Sequence, residues 1–144
     1  MVIPRRFHNG DTTVTIRPFE PRYGCAALLW CSVILWASTT PEPPGKSLFD
    51  LPMADKAVHF CGYALLCWLV AMSMRRAQHS YQTLTLLLAP VLFATLYGIL
   101  NEIIQTFVAA RSYEIGDIVA NTLGAVAVQA AYAYARSRKR ATNA

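Results

Sequence analysis

The chain has 144 residues, of which 55% are hydrophobic and 15% charged, and its formal net charge is +5. That length suits one domain, but so few charges exclude an ordinary soluble one, and the apolar residues gather in long segments rather than spreading evenly. The positive balance does not point to nucleic acid, because acids and bases separate along the chain.

Residues 1–22 place Pro4, Pro18 and Pro21 around "DTTVTI" with no sustained helical period, so this basic tail reads as irregular and partly disordered. The first apolar segment, about 23–39, is "YGCAALLWCSVILWAST". A long tail precedes it and Thr39-Thr40-Pro41 offers no small-x-small cleavage site, so it reads as a retained, slightly short span. The connection "PEPPGKSLFDLP" is rich in proline and glycine and predicts extended chain, stopped by Pro52. Further apolar segments cover about 54–74, 83–105 and 115–135, each near the ~20 residues that a bilayer requires. Pro90 predicts a kink near Leu86–Pro90. Gly116, Gly124, Ala120, Ala125 and Ala127 predict close helix packing in the fourth span. Residues 136–144 form a second basic tail. The expected fold is all-α: an integral-membrane antiparallel four-helix bundle with both termini in the cytoplasm.

Charge supports that topology. Ten of the 13 basic residues lie in the N-terminal tail, in "RRAQHSYQ" or in "RSRKR", while the two other connections hold only Lys46, Lys56 and Arg111. The positive-inside rule puts the ten in the cytoplasm. Six of the eight acids (Glu42, Asp50, Asp55, Glu102, Glu114, Asp117) fall on the opposite side. Basic tails against anionic inner-leaflet lipid account for the net charge. The cysteines, Cys25, Cys31, Cys61 and Cys67, form no C-x-x-C pair and read as small packing residues. Trp30, Trp36 and Trp68 read as lipid-facing or interfacial, Tyr132 and Tyr134 as an inner aromatic belt, and Gln129 as a helix-packing hydrogen bond.

Polar residues concentrate at three span ends. Asp55, Lys56, His59 and Tyr63 share one helical face, within about 100° of arc. So do Asn101, Glu102 and Gln105, with Gly98 leaving space beside them. Asp117 and Asn121 are an i, i+4 pair whose stripe continues to Gly124. With Arg111 in the loop, these ten residues can converge in the outer half of the bundle. Ionisable groups inside a span cost about 2.5–3.5 kcal/mol at the bilayer centre, so they must pair or line a wet cavity.

"DKAVHFCGYALL" followed by "NEIIQTFVAARSYEIGDIVANTLGA" resembles the VanZ-like family of small bacterial membrane proteins. The match runs through Asp55, Lys56, His59, Phe60, Tyr63, Glu102, Gln105, Phe107, Arg111, Asp117, Asn121 and Gly124, over about Leu51 to Ala127. Relatives often carry a proline between the Phe and the Arg, where this chain has Ala109-Ala110. The resemblance implies a multi-pass protein of the bacterial plasma (inner) membrane and a link to resistance to teicoplanin, a lipid-bearing glycopeptide; it implies no particular reaction.

Three functional readings follow. In the first, Asp55, Lys56, His59, Tyr63, Asn101, Glu102, Gln105, Arg111, Asp117 and Asn121 bind an anionic lipid or cell-wall precursor, with Lys56, Arg111 and His59 holding the anion. In the second, the protein is an enzyme on a lipid phosphate or ester, with His59 as base or nucleophile and Asp55 or Glu102 orienting it. In the third, the residues only clamp helices: Asp55 or Asp117 with Arg111, and Glu102 with Lys56 or His59. A metal held by Asp55, His59, Glu102 and Asp117 is disfavoured by the adjacent Lys56 and Arg111, and no cofactor is implied.

Overall fold

The computed structural model describes residues 18–40, 53–77, 81–108 and 113–142. They form four helices: α1 (Pro21–Thr39), α2 (Ala54–Arg75), α3 (Thr83–Gln105) and α4 (Ile115–Thr142). Most of the N-terminal tail, the proline-rich connection at 41–52, His8, His79 and Arg111 lie outside the described residues.

Pro21 stands in the first turn of α1, where its missing N–H costs no helical bond. Met53, before α2, has a φ of 78°, a left-handed conformation that costs a non-glycine residue about 1–2 kcal/mol. Consecutive helices run antiparallel. The Glu20 amide donates to the Ser73 carbonyl (2.8 Å), joining the start of α1 to the end of α2. The Ser38 hydroxyl donates to Asn101 Oδ1 (2.7 Å), joining the ends of α1 and α3. The Tyr97 hydroxyl donates to the Cys31 carbonyl (2.6 Å), and the Trp30 indole N–H donates to the Gly62 carbonyl (2.9 Å). Trp30 therefore clamps α1 to α2 while staying partly exposed, whereas Trp36 is 71% exposed.

Pro90 sits inside an unbroken α3. Its ring nitrogen has no hydrogen to give Leu86, four residues earlier. The Arg75 guanidinium from α2 reaches the freed Leu86 carbonyl at 3.4 Å. The same nitrogen donates to Gln129 Oε1 (2.6 Å), so Gln129 does serve helix packing.

Around an apolar centre of Leu66, Cys67, Ala94 and Ala125, the pattern of burial departs from that of a soluble bundle. Leu28, Leu29, Leu84, Leu92 and Leu96 are all more than half exposed, while Asn101, Glu102, Gln105, Asp117, Asn121 and Gln129 are buried. Apolar side chains outward and polar ones inward is what a hydrocarbon solvent selects, since polar groups there must be satisfied internally. Helices α2, α3 and α4 are long and apolar enough to cross a membrane. α1 is not among them, contrary to the expectation of four such segments. Arg22, Tyr23 and Gly24 at one end and Ser38 and Thr39 at the other leave only 25–37 as its apolar stretch, roughly 20 Å of helix against ~30 Å of hydrocarbon. α4 in turn runs past the expected boundary at 135 into the basic segment and ends at Thr142. Lys139 and Arg140 there complement the negative end of the helix dipole.

The cysteines divide. Cys67 is buried and donates to the Ala125 carbonyl (3.4 Å), whereas Cys25 and Cys61 are exposed and pack nothing in the interior; all four are free thiols.

Candidate functional site

Each polar stripe starts from its helix. Asp55 is in the first turn of α2 and Asp117 in the first turn of α4, where the positive end of the helix dipole favours carboxylates. Because α2 and α4 run parallel, these two ends meet. Lys56 lies between them and ion-pairs with Asp117, with Glu114 Oε2 (2.6 Å) and with Asp55 Oδ2 (3.1 Å). An ammonium has three N–H donors, and three carboxylates use them. Gly116 admits the lysine stem, since a Cβ there would stand 3.1 Å from Lys56 Cε.

His59, one turn deeper, completes the upper layer. Its Nδ1 is 3.2 Å from Asn121 Oδ1, and its Nε2 is 3.6 Å from Asp117 and 3.7 Å from Asp55. The i, i+4 pair Asp117 and Asn121 thus brackets one imidazole. Asp55, His59 and Asp117 have ligand atoms within 4.8 Å of one another, which is metal-ligand spacing. The Lys56 ammonium, bonded to both aspartates of that trio, places a positive charge where an ion would sit.

The lower layer is fully buried. Glu102 Oε2 accepts the backbone N–H of Glu114 (3.2 Å), so this carboxylate ties α3 to the start of α4 rather than pairing with Lys56 or His59 as the clamping reading had it. Its other oxygen, Oε1, makes no well-formed hydrogen bond, nor do the Tyr63 hydroxyl, Asn101 Nδ2 and Asn121 Nδ2, although the Tyr63 hydroxyl and the Asn101 side chain lie close enough for a weak contact. Tyr63, Asn101, Glu102 and Asn121 are each no more than 2% exposed. Orphaned buried polar atoms cost about 1–3 kcal/mol apiece, so four in one layer call for an account. Gly98 makes the layer possible: a Cβ there would lie 2.9 Å from Asn121 Nδ2 and 3.2 Å from the Tyr63 ring.

The bundle therefore brings together Asp55, Lys56, His59, Tyr63, Asn101, Glu102, Asp117 and Asn121. Gln105 is buried on the same face of α3. Two contributors escaped the sequence reading. Ser38, which fixes Asn101, is a lone serine ending an apolar segment, with nothing in the pattern to mark it. Glu114 was legible only as an acid on the outer side, yet it contacts Lys56 through its side chain and Glu102 through its backbone.

A family model described as VanZ/LLP1 matches residues 10–136. The chain belongs to the VanZ/LLP1 family. Neither a curated protein nor a solved structure matches it. With membrane-length helices, this VanZ/LLP1 chain is a multi-pass membrane protein.

Proposed function

We propose that this protein is a bacterial inner-membrane VanZ-family protein with both termini in the cytoplasm. α1 completes a four-helix bundle as a short fourth span, its mismatch taken up by local bilayer thinning and by Arg22 reaching the interface, and the outer half holds a pocket for the polar head of a lipid-linked or cell-envelope ligand. The observation that carries the reading is the buried layer of unpaired groups: the Tyr63 hydroxyl, Asn101 Nδ2, Asn121 Nδ2 and Glu102 Oε1. Together they offer donors and one acceptor, a set suited to the hydroxyls and amides of an envelope sugar or peptide head group. Support for α1 as the fourth span comes from its bonding to α2 at one end and to α3 at the other.

The geometry refines the anion-binding role expected of Lys56. With three carboxylates on its ammonium, Lys56 organises the rim and leaves no donor for a ligand. An anionic group on the ligand falls instead to Arg111, in the α3–α4 connection. A link to glycopeptide (teicoplanin) resistance or envelope homeostasis fits a protein that holds a lipid-linked ligand at the outer leaflet.

The test is native mass spectrometry of protein extracted in mild detergent or nanodiscs, wild type beside Tyr63→Phe and Asn101→Ala. The expected result is a co-purifying envelope lipid on the wild type, reduced in Tyr63→Phe, which keeps the ring and removes only the hydroxyl. A wild type with no adduct, or a folded Tyr63→Phe with an unchanged one, overturns the proposal.

A catalytic reading has one specific observation behind it: His59 between two aspartates and an asparagine, the arrangement that orients a general base. Hydrolysis of a supplied lipid phosphate or ester by wild type, lost in His59→Gln and retained in Cys61→Ser, would establish it. Absence of turnover on both substrate classes overturns the catalytic reading for those substrates.

A further inference from the structure

The opposite end of the bundle, where α2 ends and α3 begins, carries a second constellation. A cavity of about 330 Å³ is lined there by Arg75, Arg136, Arg140, Thr83, Ser137 and Tyr132, among others. We infer that this cavity is a binding site for a phosphate-bearing anion, with the head group of an anionic phospholipid as its source.

Three observations meet in it. First, its charge is uncompensated: among the described residues, no carboxylate pairs with Arg75, Arg136 or Arg140. Arg75 stacks on the Tyr132 ring with its guanidinium carbon 3.4 Å from the centroid, and its Nε and Nη1 are buried without a partner. A partly buried cation beside other arginines gains most from a nearby anion, because its present partners, the Tyr132 ring, Gln129 and the Leu86 carbonyl, carry no net charge to offset the repulsion.

Second, the cavity contains the start of α3. Gln82 makes no side-chain cap, and the first turn holds no acid, so the positive end of a long helix dipole lies beside the lining at Thr83 without a local counter-charge. Third, the Thr83 hydroxyl lines the cavity with the arginines and adds a neutral donor to theirs, which suits the acceptor-rich oxygens of a phosphate; the Ser137 hydroxyl is already donated to the Tyr134 carbonyl. A larger cavity at the same end differs in kind, since Glu20 stands there with Arg22 and Arg76.

The nearest source of phosphate beside two membrane-length helices is the head-group layer. The alternative, a soluble phosphate, uses the same contacts. The experiment therefore has two arms and a charge-matched control. Full-length protein is reconstituted in nanodiscs of phosphatidylcholine with graded phosphatidylglycerol, and retained lipid is counted by native mass spectrometry. Arg136→Gln/Arg140→Gln removes two exposed cavity arginines. Arg138→Gln/Lys139→Gln removes the same charge from neighbouring positions that do not line the cavity.

Wild type should retain phosphatidylglycerol, the cavity double variant should weaken that retention about tenfold or more, and the control should stay within about twofold. Equal loss in both doubles overturns the site and leaves only a diffuse basic surface. In the second arm, inorganic phosphate is added to pure phosphatidylcholine nanodiscs. Thermal stabilisation of wild type but not of the cavity variant, without lipid retention in the first arm, overturns the lipid source. No response in either arm overturns the inference altogether.

Discussion

Gly124 is the position at which this bundle is least forgiving. A Cβ built there stands 2.2 Å from the Phe60 carbonyl oxygen and 3.2 Å from the Ala64 nitrogen, both backbone atoms of α2. Real contacts of a Cβ stay above 3.0 Å, so Gly124→Ala requires the α2–α4 seam to open by roughly 1 Å. A gap of that size forfeits a quarter to a half of each affected contact, itself worth about 0.1–0.2 kcal/mol, over a few dozen atom pairs. The resulting strain is about 2–3 kcal/mol, in the range of core overpacking. Alanine recovers about 1 kcal/mol of helix propensity, leaving a net loss of about 1–2 kcal/mol.

Thermal unfolding of detergent-solubilised protein, followed by tryptophan fluorescence, should show Tm lowered by about 3–8 °C. Gly62→Ala is the internal control, since a Cβ there meets nothing within 4 Å, and it should be neutral or slightly stabilising. Gly98→Ala, which meets side-chain atoms at 2.9–3.3 Å, should fall between them. Adding Phe60→Ala to Gly124→Ala should give no rescue, because the obstructing atom is a main-chain oxygen. Gly124→Ala no less stable than Gly62→Ala, or restored by Phe60→Ala, would refute the close approach.

Other consequences are open to the same assay. Lys56→Met leaves buried Asp117 facing Glu114 and Asp55 without a cation, and should cost about 2–3 kcal/mol, less than a fully buried broken pair because Lys56 is a quarter exposed; adding Asp117→Asn should return part of that loss in a double-mutant cycle. Trp30→Phe removes the indole bond to the Gly62 carbonyl and should cost about 1 kcal/mol, while Trp36→Phe, on an exposed ring, should cost less than about 0.5 kcal/mol. Arg75→Lys keeps the charge but loses the planar guanidinium that stacks on Tyr132 while its Nη2 holds both Gln129 and the Leu86 carbonyl, and should cost about 1–3 kcal/mol; an unchanged Tm would remove Arg75 as the partner of the Pro90 gap.

The helices were legible because membrane spans announce themselves by length and composition: the start of α2 and both ends of α3 fall where the apolar segments predict. α1 was overestimated because its aromatic and apolar centre masks polar ends, and the extension of α4 was hidden because charged residues end an apolar run without ending a helix. Asp55, Lys56, His59, Asp117 and Asn121 could be grouped from helical spacing alone, since α2 and α4 begin at the same end. The pairing within the group could not be read from spacing. Lys56 can reach any of the neighbouring acids, and only the α2–α4 register selects Glu114 over Glu102. Arg75 with Gln129 was likewise out of reach, because one is a basic loop flank by sequence and the other a lone amide in an alanine-rich helix.

The two ends of the bundle solve opposite electrostatic problems. At the Lys56 end, one ammonium meets three carboxylates, and a fourth, Glu102, is held by a backbone N–H below them, so among the described residues acidic groups outnumber basic ones there. At the Arg75 end, Arg75, Arg136 and Arg140 gather around a cavity and the excess is positive. Both clusters lean on α2 and α4, the pair that Gly124 brings into contact. A change at that seam should therefore disturb both ends together, and a ligand bound at one end stabilises the packing on which the other depends. Gly124→Ala then has a second expected consequence beyond its lower Tm. Retention of lipid at the arginine cavity and occupancy of the Tyr63–Asn101 layer should fall in the same variant, although Gly124 lines neither, whereas Gly62→Ala should leave both unchanged.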